Sequence, residues 1–207
     1  MLSLVLSVAL AAAAPTLLSA PVQAAEPGPR RSPPVTWRID VTHSELTFRV
    51  RHLVSRVRGT FRDWSGTITA DTADLTAGSV RVEIRAGSIF TDNERRDAHL
   101  RSPDFFAADS FATIAFVSTR VERTGSDLRV TGNLTIRGVT RSVTLTGTYN
   151  GVQSTGQPGG ERIGFEFRTR INRLDYGVRW NRAVEAGGMI LGDEVDIDIT
   201  IEAMPRT

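Results

Sequence analysis

Thr91–Phe106, TDNERRDAHLRSPDFF, is the one strongly helical stretch in a chain that otherwise alternates apolar and polar residues along strands. Thr91 and Glu94 have the spacing of a capping box, in which the hydroxyl accepts from an orphan amide and the carboxylate reaches back to the cap. Ser102 before Pro103 supplies a second cap with proline at the first helical position, leaving Phe105 and Phe106 to pack. Helices this short are marginal alone. They must be docked on the sheet, most economically over an opening, so the chain reads as a barrel with one end covered by short helices at about residues 91–107.

The flanking text supplies the strands. Leu46, Phe48 and Val50 face one way while Glu45, Thr47, Arg49 and Arg51 face the other, and Val80, Val82 and Ile84 oppose Arg81, Glu83 and Arg85. Leu128, Val130, Leu134 and Ile136 continue the pattern, as do Val143, Leu145 and Tyr149, then Ile163, Phe165, Phe167 and Ile171, and finally Val195, Ile197, Ile199 and Ile201. Turn signals at Asp71 to Gly78, Thr124 to Asp127, Arg137-Gly138 and Gln157 to Gly160 separate them. Short turns make consecutive strands antiparallel neighbours. Eight or so such strands bury their oily faces as a sandwich or a closed barrel, and closure removes the sticky edges. The fold class is all-β.

Residues 1–24 belong to transport. Leu2–Ala14 is apolar apart from Ser3 and Ser7, Pro15 ends the run, and Val22–Ala25 offers the small-residue pattern of a signal-peptide cleavage site. No Lys or Arg precedes the run, which puts the true start codon in question. The run is too short for a bilayer span of ~20 residues. Residues 25–35 read as a proline-rich, extended tether, and one domain follows over 36–204. A periplasmic or secreted location is expected. With no cysteine the domain stands without disulfides and has no thiolate nucleophile. The pI of about 9.8 reflects arginines in a chain without lysine whose formal charge is only +2. Those arginines alternate with Asp and Glu, so no phosphate-binding stripe forms and nucleic acid is excluded as a partner.

Polar constellations give little chemistry. His43, His52 and His99 lie in different elements without close ligand spacing, so no metal is expected. Ser44 beside His43 points to the opposite face of a strand, so no activated serine and no catalytic residue is assigned. Asp40, His43, Arg96, Asp97 and His99 read as a structural buckle tying the short helices to the first strand. Arg173–Asp193, with Tyr176 and Trp180 among glycines, is either a lid or an ordered crossover. An outer-membrane barrel would exchange the faces, but aromatic girdles and a terminal aromatic strand are missing, so no stable membrane insertion is expected.

An ordered set of residues points to a family. Trp37, Ile39, Asp40, His43 and Ser44 come first, then Phe48 with His52, then Gly59, Phe61 and Gly66. Thr91, Arg96, Asp97, His99, Leu100, Asp104, Phe105 and Phe106 follow, then Gly132 and Leu134–Thr140, and last Gly164, Phe165, Arg173, Asp175, Tyr176 and Gly177. From Trp37 to Ala203 the chain resembles the YceI family of lipid- or polyisoprenoid-binding proteins with a lipocalin-like barrel. The resemblance implies an eight-stranded antiparallel barrel, a homodimer as one assembly, and an apolar pore for an isoprenoid chain such as a quinone tail or a polyprenyl lipid. The function expected is that of an exported soluble carrier or store with no cofactor, and the alternative is an enzyme acting on an apolar substrate in the same pore. Alternation then makes Phe48, Val50, Phe61, Val82, Ile84, Phe116, Leu134, Val143, Leu145, Phe165, Phe167 and Ile199 the pore-lining candidates. Phe105, Phe106, Tyr176 and Trp180 are the candidates for its entrance. Gly59, Gly132 and Gly147 sit at inward positions, where they either thin the wall and open a tunnel or relieve strand curvature.

Overall fold

The computed structural model describes residues 33–185 and 187–206. The leader, residues 1–24, and the tether up to residue 32 lie outside them. Eleven strands follow in order: β1 (Val35–Ile39), β2 (Glu45–His52), β3 (Ser55–Phe61), β4 (Trp64–Asp71), β5 (Asp74–Arg85) and β6 (Ile89–Phe90), then β7 (Thr113–Thr124), β8 (Asp127–Ile136), β9 (Val139–Ser154), β10 (Glu161–Asn172) and β11 (Leu191–Pro205). A single helix, α1 (Glu94–Arg101), lies between β6 and β7.

All pairings are antiparallel, and the ring closes. β11 pairs with β10 along one edge; its other edge takes β2 over Leu191–Thr200 and β1 over Ala203–Pro205. β1 and β2 are therefore two halves of one wall strand, as are β4 and β3, which pair with them in turn. Counted so, the wall has eight strands, closed through β5, β7, β8, β9 and β10. Eight is the number at which side chains either fill the interior or leave room for one ligand.

The break between β1 and β2 has a local cause. Asp40 folds the chain over by accepting from the Thr42 amide at 3.1 Å and the Thr42 hydroxyl at 2.6 Å. Ser44 then replaces a backbone rung: its hydroxyl donates to the Glu202 carbonyl at 3.2 Å and accepts from the Glu202 amide at 2.9 Å. The β8–β9 hairpin turns on Arg137 and Gly138, both at positive φ, as a tight two-residue loop requires.

The helical stretch differs from its reading in two details. Asn93, not Thr91, is the N-cap, and its side chain accepts from the Arg96 amide at 2.9 Å. Thr91 is buried, and both its amide and its hydroxyl donate to Asp97 Oδ1. The second short helix is instead a turn over residues 102–106, pinned to the β8–β9 hairpin by Arg137, whose guanidinium donates to the carbonyls of Pro103 and Phe105.

The two ends of the barrel are built differently. The base, where β1, β4, β10 and β11 meet, packs Trp37, Ile39, Leu75, Leu128, Ile163 and Ala203 at 3 % exposure or less. At the other end α1, the 102–106 turn and the 173–190 segment lie across the strands, with Phe105, Val178 and Leu191 as a small separate core.

Candidate functional site

Between these ends lies a cavity of about 680 Å³, within the size range of sites that hold a small ligand. The twelve side chains expected to face inward all line it. So do residues that the alternation contains but that were not singled out, among them Ile39, Leu46, Ile68, Val130, Ile171 and Ile197.

The wall glycines make room for neighbouring rings. A Cβ on Gly59 would stand 2.3 Å from the Phe48 ring, and one on Gly132 would stand 2.4 Å from the Phe116 ring. At Gly147 it would meet the Glu166 carbonyl oxygen at 1.8 Å and the Phe167 ring at 2.7 Å. Each glycine is a seat for a neighbouring phenylalanine. The rings lie against the wall over these seats instead of across the bore, so bulky residues line the cavity without closing it.

Polar groups are confined to few places. Apart from Ser79 and Thr169, the polar lining is Asn93, Arg95, Arg96 and His99 on or beside α1, His52 at the end of β2, and Arg173. No Asp or Glu is among the described lining residues. Arg96 is held by Thr91, donating from Nε to the hydroxyl and from Nη2 to the carbonyl, both at 2.7 Å. His99 Nε2 lies 2.8 Å from Asp104 Oδ2, with its ring edge-on to Phe105 and Trp180 at 5.0 Å centroid distance each. Arg95 and His52 went unnoticed as lining residues; spacing i, i+4 with His99 on one helical face was the available signal for Arg95.

Arg173 ties the segment that reads as a lid or a crossover to the barrel wall. Its buried guanidinium donates to the carbonyls of Gly192 (2.8 Å), Val178 (2.6 Å) and Trp180 (3.0 Å) and pairs with Asp193 at 3.2 Å. Burial pulls its pKa down and Asp193 only partly restores it. Asn181 adds two bonds to the backbone of Leu191. Together these bonds hold the two ends of the segment, 173–181 and 191–193, against each other over the cavity. Phe105, Phe106 and Trp180 line the cavity beneath it, but Tyr176 does not: it is buried in the barrel core, at 2 % exposure, because the 3₁₀ turn over Arg173–Tyr176 directs it inward.

The expected buckle is two separate clusters. Among the described residues, no hydrogen bond or ion pair joins Asp40 or His43 to Arg96, Asp97 or His99. Asp97 is 4 % exposed and serves Thr91 within its own segment, whereas Asp40 and His43 bond to each other, Nδ1 to Oδ2 at 3.0 Å, at the β1–β2 corner. The Thr42 hydroxyl and then His43 hold the Asp40 carboxyl down to about 2, and the bond to Asp40 raises the histidine. Glu202 completes a group whose ligand atoms lie within 4.8 Å of one another, a constellation hidden from histidine spacing because Glu202 is distant in sequence. None of the three lines the cavity.

Comparison with known proteins places this architecture. A family model described as a YceI-like domain matches residues 37–203. The chain belongs to the YceI-like domain family. A UPF0312 protein of Staphylococcus aureus (strain MSSA476) is 38 % identical over 167 residues, covering 80 % of this chain and 95 % of that one. The crystal structure of the YceI protein of Campylobacter jejuni is 30 % identical and superposes with a TM-score of 0.66 over 76 % of this chain and 90 % of that one. A polyisoprenoid-binding domain from Saccharophagus degradans, implicated in plant cell wall breakdown, shares the fold at 18 % identity, with a TM-score of 0.60 over 83 % of this chain and 99 % of that one. As in other YceI-like domains, the wall of this one is the closed antiparallel barrel described above.

Proposed function

We propose that this YceI-like barrel is an exported carrier or store for a lipid with a long apolar chain, a polyisoprenoid such as a quinone tail or a polyprenyl compound. The observation that carries the reading is the cavity itself, apolar along the barrel and polar chiefly under α1. Each buried methylene contributes ~0.8 kcal/mol. A five-carbon isoprene unit then contributes about 4 kcal/mol before ordering costs, so a few units reach micromolar affinity without any polar contact. The polyisoprenoid-binding domain of Saccharophagus degradans supports this choice of ligand through shared fold. The enzyme alternative has less support, since the Ser44 hydroxyl is committed to the Glu202 backbone and no Asp or Glu is among the described residues that line the cavity.

A long polyprenol incubated with the protein should co-elute with it on gel filtration in a 1:1 complex, and Leu145→Trp, which puts an indole into the bore, should remove the complex while leaving the fold intact. Polyprenol that elutes free of wild type, or that binds the Leu145→Trp variant equally, contradicts the proposal. Export rests on the leader and is tested separately: protein recovered from its host should begin at Ala25 or Glu26, and an intact leader there refutes it.

A further inference from the structure

The described residues include seven exposed large apolar side chains, and three of them stand together beside the cavity: Leu53, Val54 and Met189. Leu53 and Val54 form the tip of the β2–β3 hairpin, and Met189 belongs to a small hairpin in which Ala183 bridges Met189 and Gly187 and Gly188 stand at positive φ. The tips touch, since the Leu53 amide donates to the Ile190 carbonyl at 2.8 Å. Val54 is 104 % exposed, so it covers nothing in its own chain. Leu53 holds φ +51, a strained setting for a residue with a side chain.

The place of this patch gives it meaning. The residues on either side of the tips, His52, Val57 and Leu191, line the cavity, and Trp180 lines it from the same segment as Met189. The charge around the tips is mainly positive: residues 51–56 and 179–190 hold Arg51, Arg56, Arg179 and Arg182 against Glu185, and the next acids along the chain, Asp193 and Glu194, are paired with Arg173 and Arg170. Arg51 sits at the tip itself, donating to the Leu53 carbonyl at 3.3 Å, while Arg56 is paired with Asp196. Convex apolar tips ringed by arginine, with a tryptophan behind them, match the chemistry of a surface that enters the boundary between lipid headgroups and acyl chains.

We propose that the β2–β3 and 182–190 tips dock on an anionic lipid bilayer, setting the covered end of the barrel against the membrane from which its ligand comes. The inference rests on the carrier reading for its purpose but not for its test. Because the chain has no cysteine, one substitution places one label. Full-length Val54→Cys and, at the opposite end, Val152→Cys are each labelled with an environment-sensitive nitrobenzoxadiazole dye and mixed with vesicles of phosphatidylcholine with or without phosphatidylglycerol.

The dye at 54 should shift to the blue with the anionic vesicles and be quenched by lipids brominated near the headgroup, while the dye at 152 does not respond. Adding Leu53→Ser and Met189→Ser to the Val54→Cys chain should raise the vesicle concentration needed by on the order of tenfold or more. A dye at 54 that stays in water, or equal shifts at 54 and 152, overturns the docking. A shift at 54 that grows with protein concentration without vesicles assigns the tips to a second copy and overturns it too. Polyprenol co-elution, measured in parallel, fails or succeeds independently, so loss of docking and loss of the carrier function are told apart.

Discussion

The base and the covered end of this barrel use the same alternating strands for opposite purposes. At the base, Trp37, Ile163 and Ala203 are packed with almost no exposure and none of them lines the cavity, so the strands there have nothing to do but close. Toward α1 the inward residues Leu46, Phe48, Val143, Leu145, Phe167 and Ile199 are only partly buried, because their side chains border an open cavity instead of one another. Alternation decides which face is oily; what stands opposite decides whether the oil is core or lining. The difference is made by seats such as Gly59 and Gly132, which let phenylalanines lie along the wall.

Substitutions break this comparison where its effect is largest. Ile163→Ala should cost ~2–5 kcal/mol, the range of a large-to-small change in a close-packed core. Phe167→Ala should cost less than half as much, because the void it leaves joins one already present, and its larger effect should be on retained lipid. Chemical denaturation of both variants checks this. Equal costs would mean that the cavity wall packs like the base.

The cover should respond next. Arg173→Met removes four bonds from one buried guanidinium and leaves the Gly192, Val178 and Trp180 carbonyls without their donor. A loss of about 3 kcal/mol is expected, accompanied by faster amide exchange over 177–192 than at the base. Unchanged exchange in that segment would show that the cover is held by something else.

Asp97→Ala, which orphans the buried Thr91 amide, should lower stability by ~1–3 kcal/mol. Its effect should stay at the covered end, with Trp37 at the base retaining its native environment until global unfolding. A variant that melts at the wild-type temperature contradicts the role given to Asp97.

The smallest effect belongs to the corner pair Asp40 and His43. The histidine's pKa is raised by folding, so its contribution is fully present below the ordinary value of about 6.5 and fades as pH climbs above that through the raised value. Asp40 is depressed, so its contribution is present above the ordinary carboxylate value and is lost as pH falls toward about 2. His43→Asn should therefore remove the alkaline limb of the stability profile but keep most of the acid limb, since Thr42 is the larger cause of the Asp40 shift. Melting temperature against pH for the two proteins measures it, and an alkaline limb that survives the substitution refutes the assignment.

How much of this was legible before the fold was seen follows from the range of the interactions. Period-two alternation is local, so the strands and their inward faces could be read along the chain, whereas alternation alone suits a sandwich as well as a barrel and the eight-stranded closure followed only from the family resemblance. The strand break at Asp40–Ser44 could not, because Ser44 completes it by bonding Glu202 from the far end of the sequence. The capping of α1 was misread for a related reason. Thr91 and Asn93 are both good caps by type, and the choice fell to Asn93 once burial committed Thr91 to Asp97. Tyr176 carried the same ambiguity, since an aromatic among glycines suits a mouth as well as a core. The buckle joined two groups, Asp40–His43 and Arg96–His99, that are distant in sequence and share no bond in the fold, and Arg173, which pins the cover, stood out in the sequence only as one of the residues of the family resemblance, with nothing to show what it bonds.

The central claim is that the space between base and cover holds a long apolar chain. Organic extraction of the protein purified from its own host, followed by mass spectrometry, tests it most directly, with Leu145→Trp purified in parallel. Near-stoichiometric recovery of one lipid bearing a polyisoprenoid or comparably long chain from wild type, and its loss from the variant, is the expected result. An extract without such a lipid, or the same lipid in equal amount from the blocked barrel, would contradict the account.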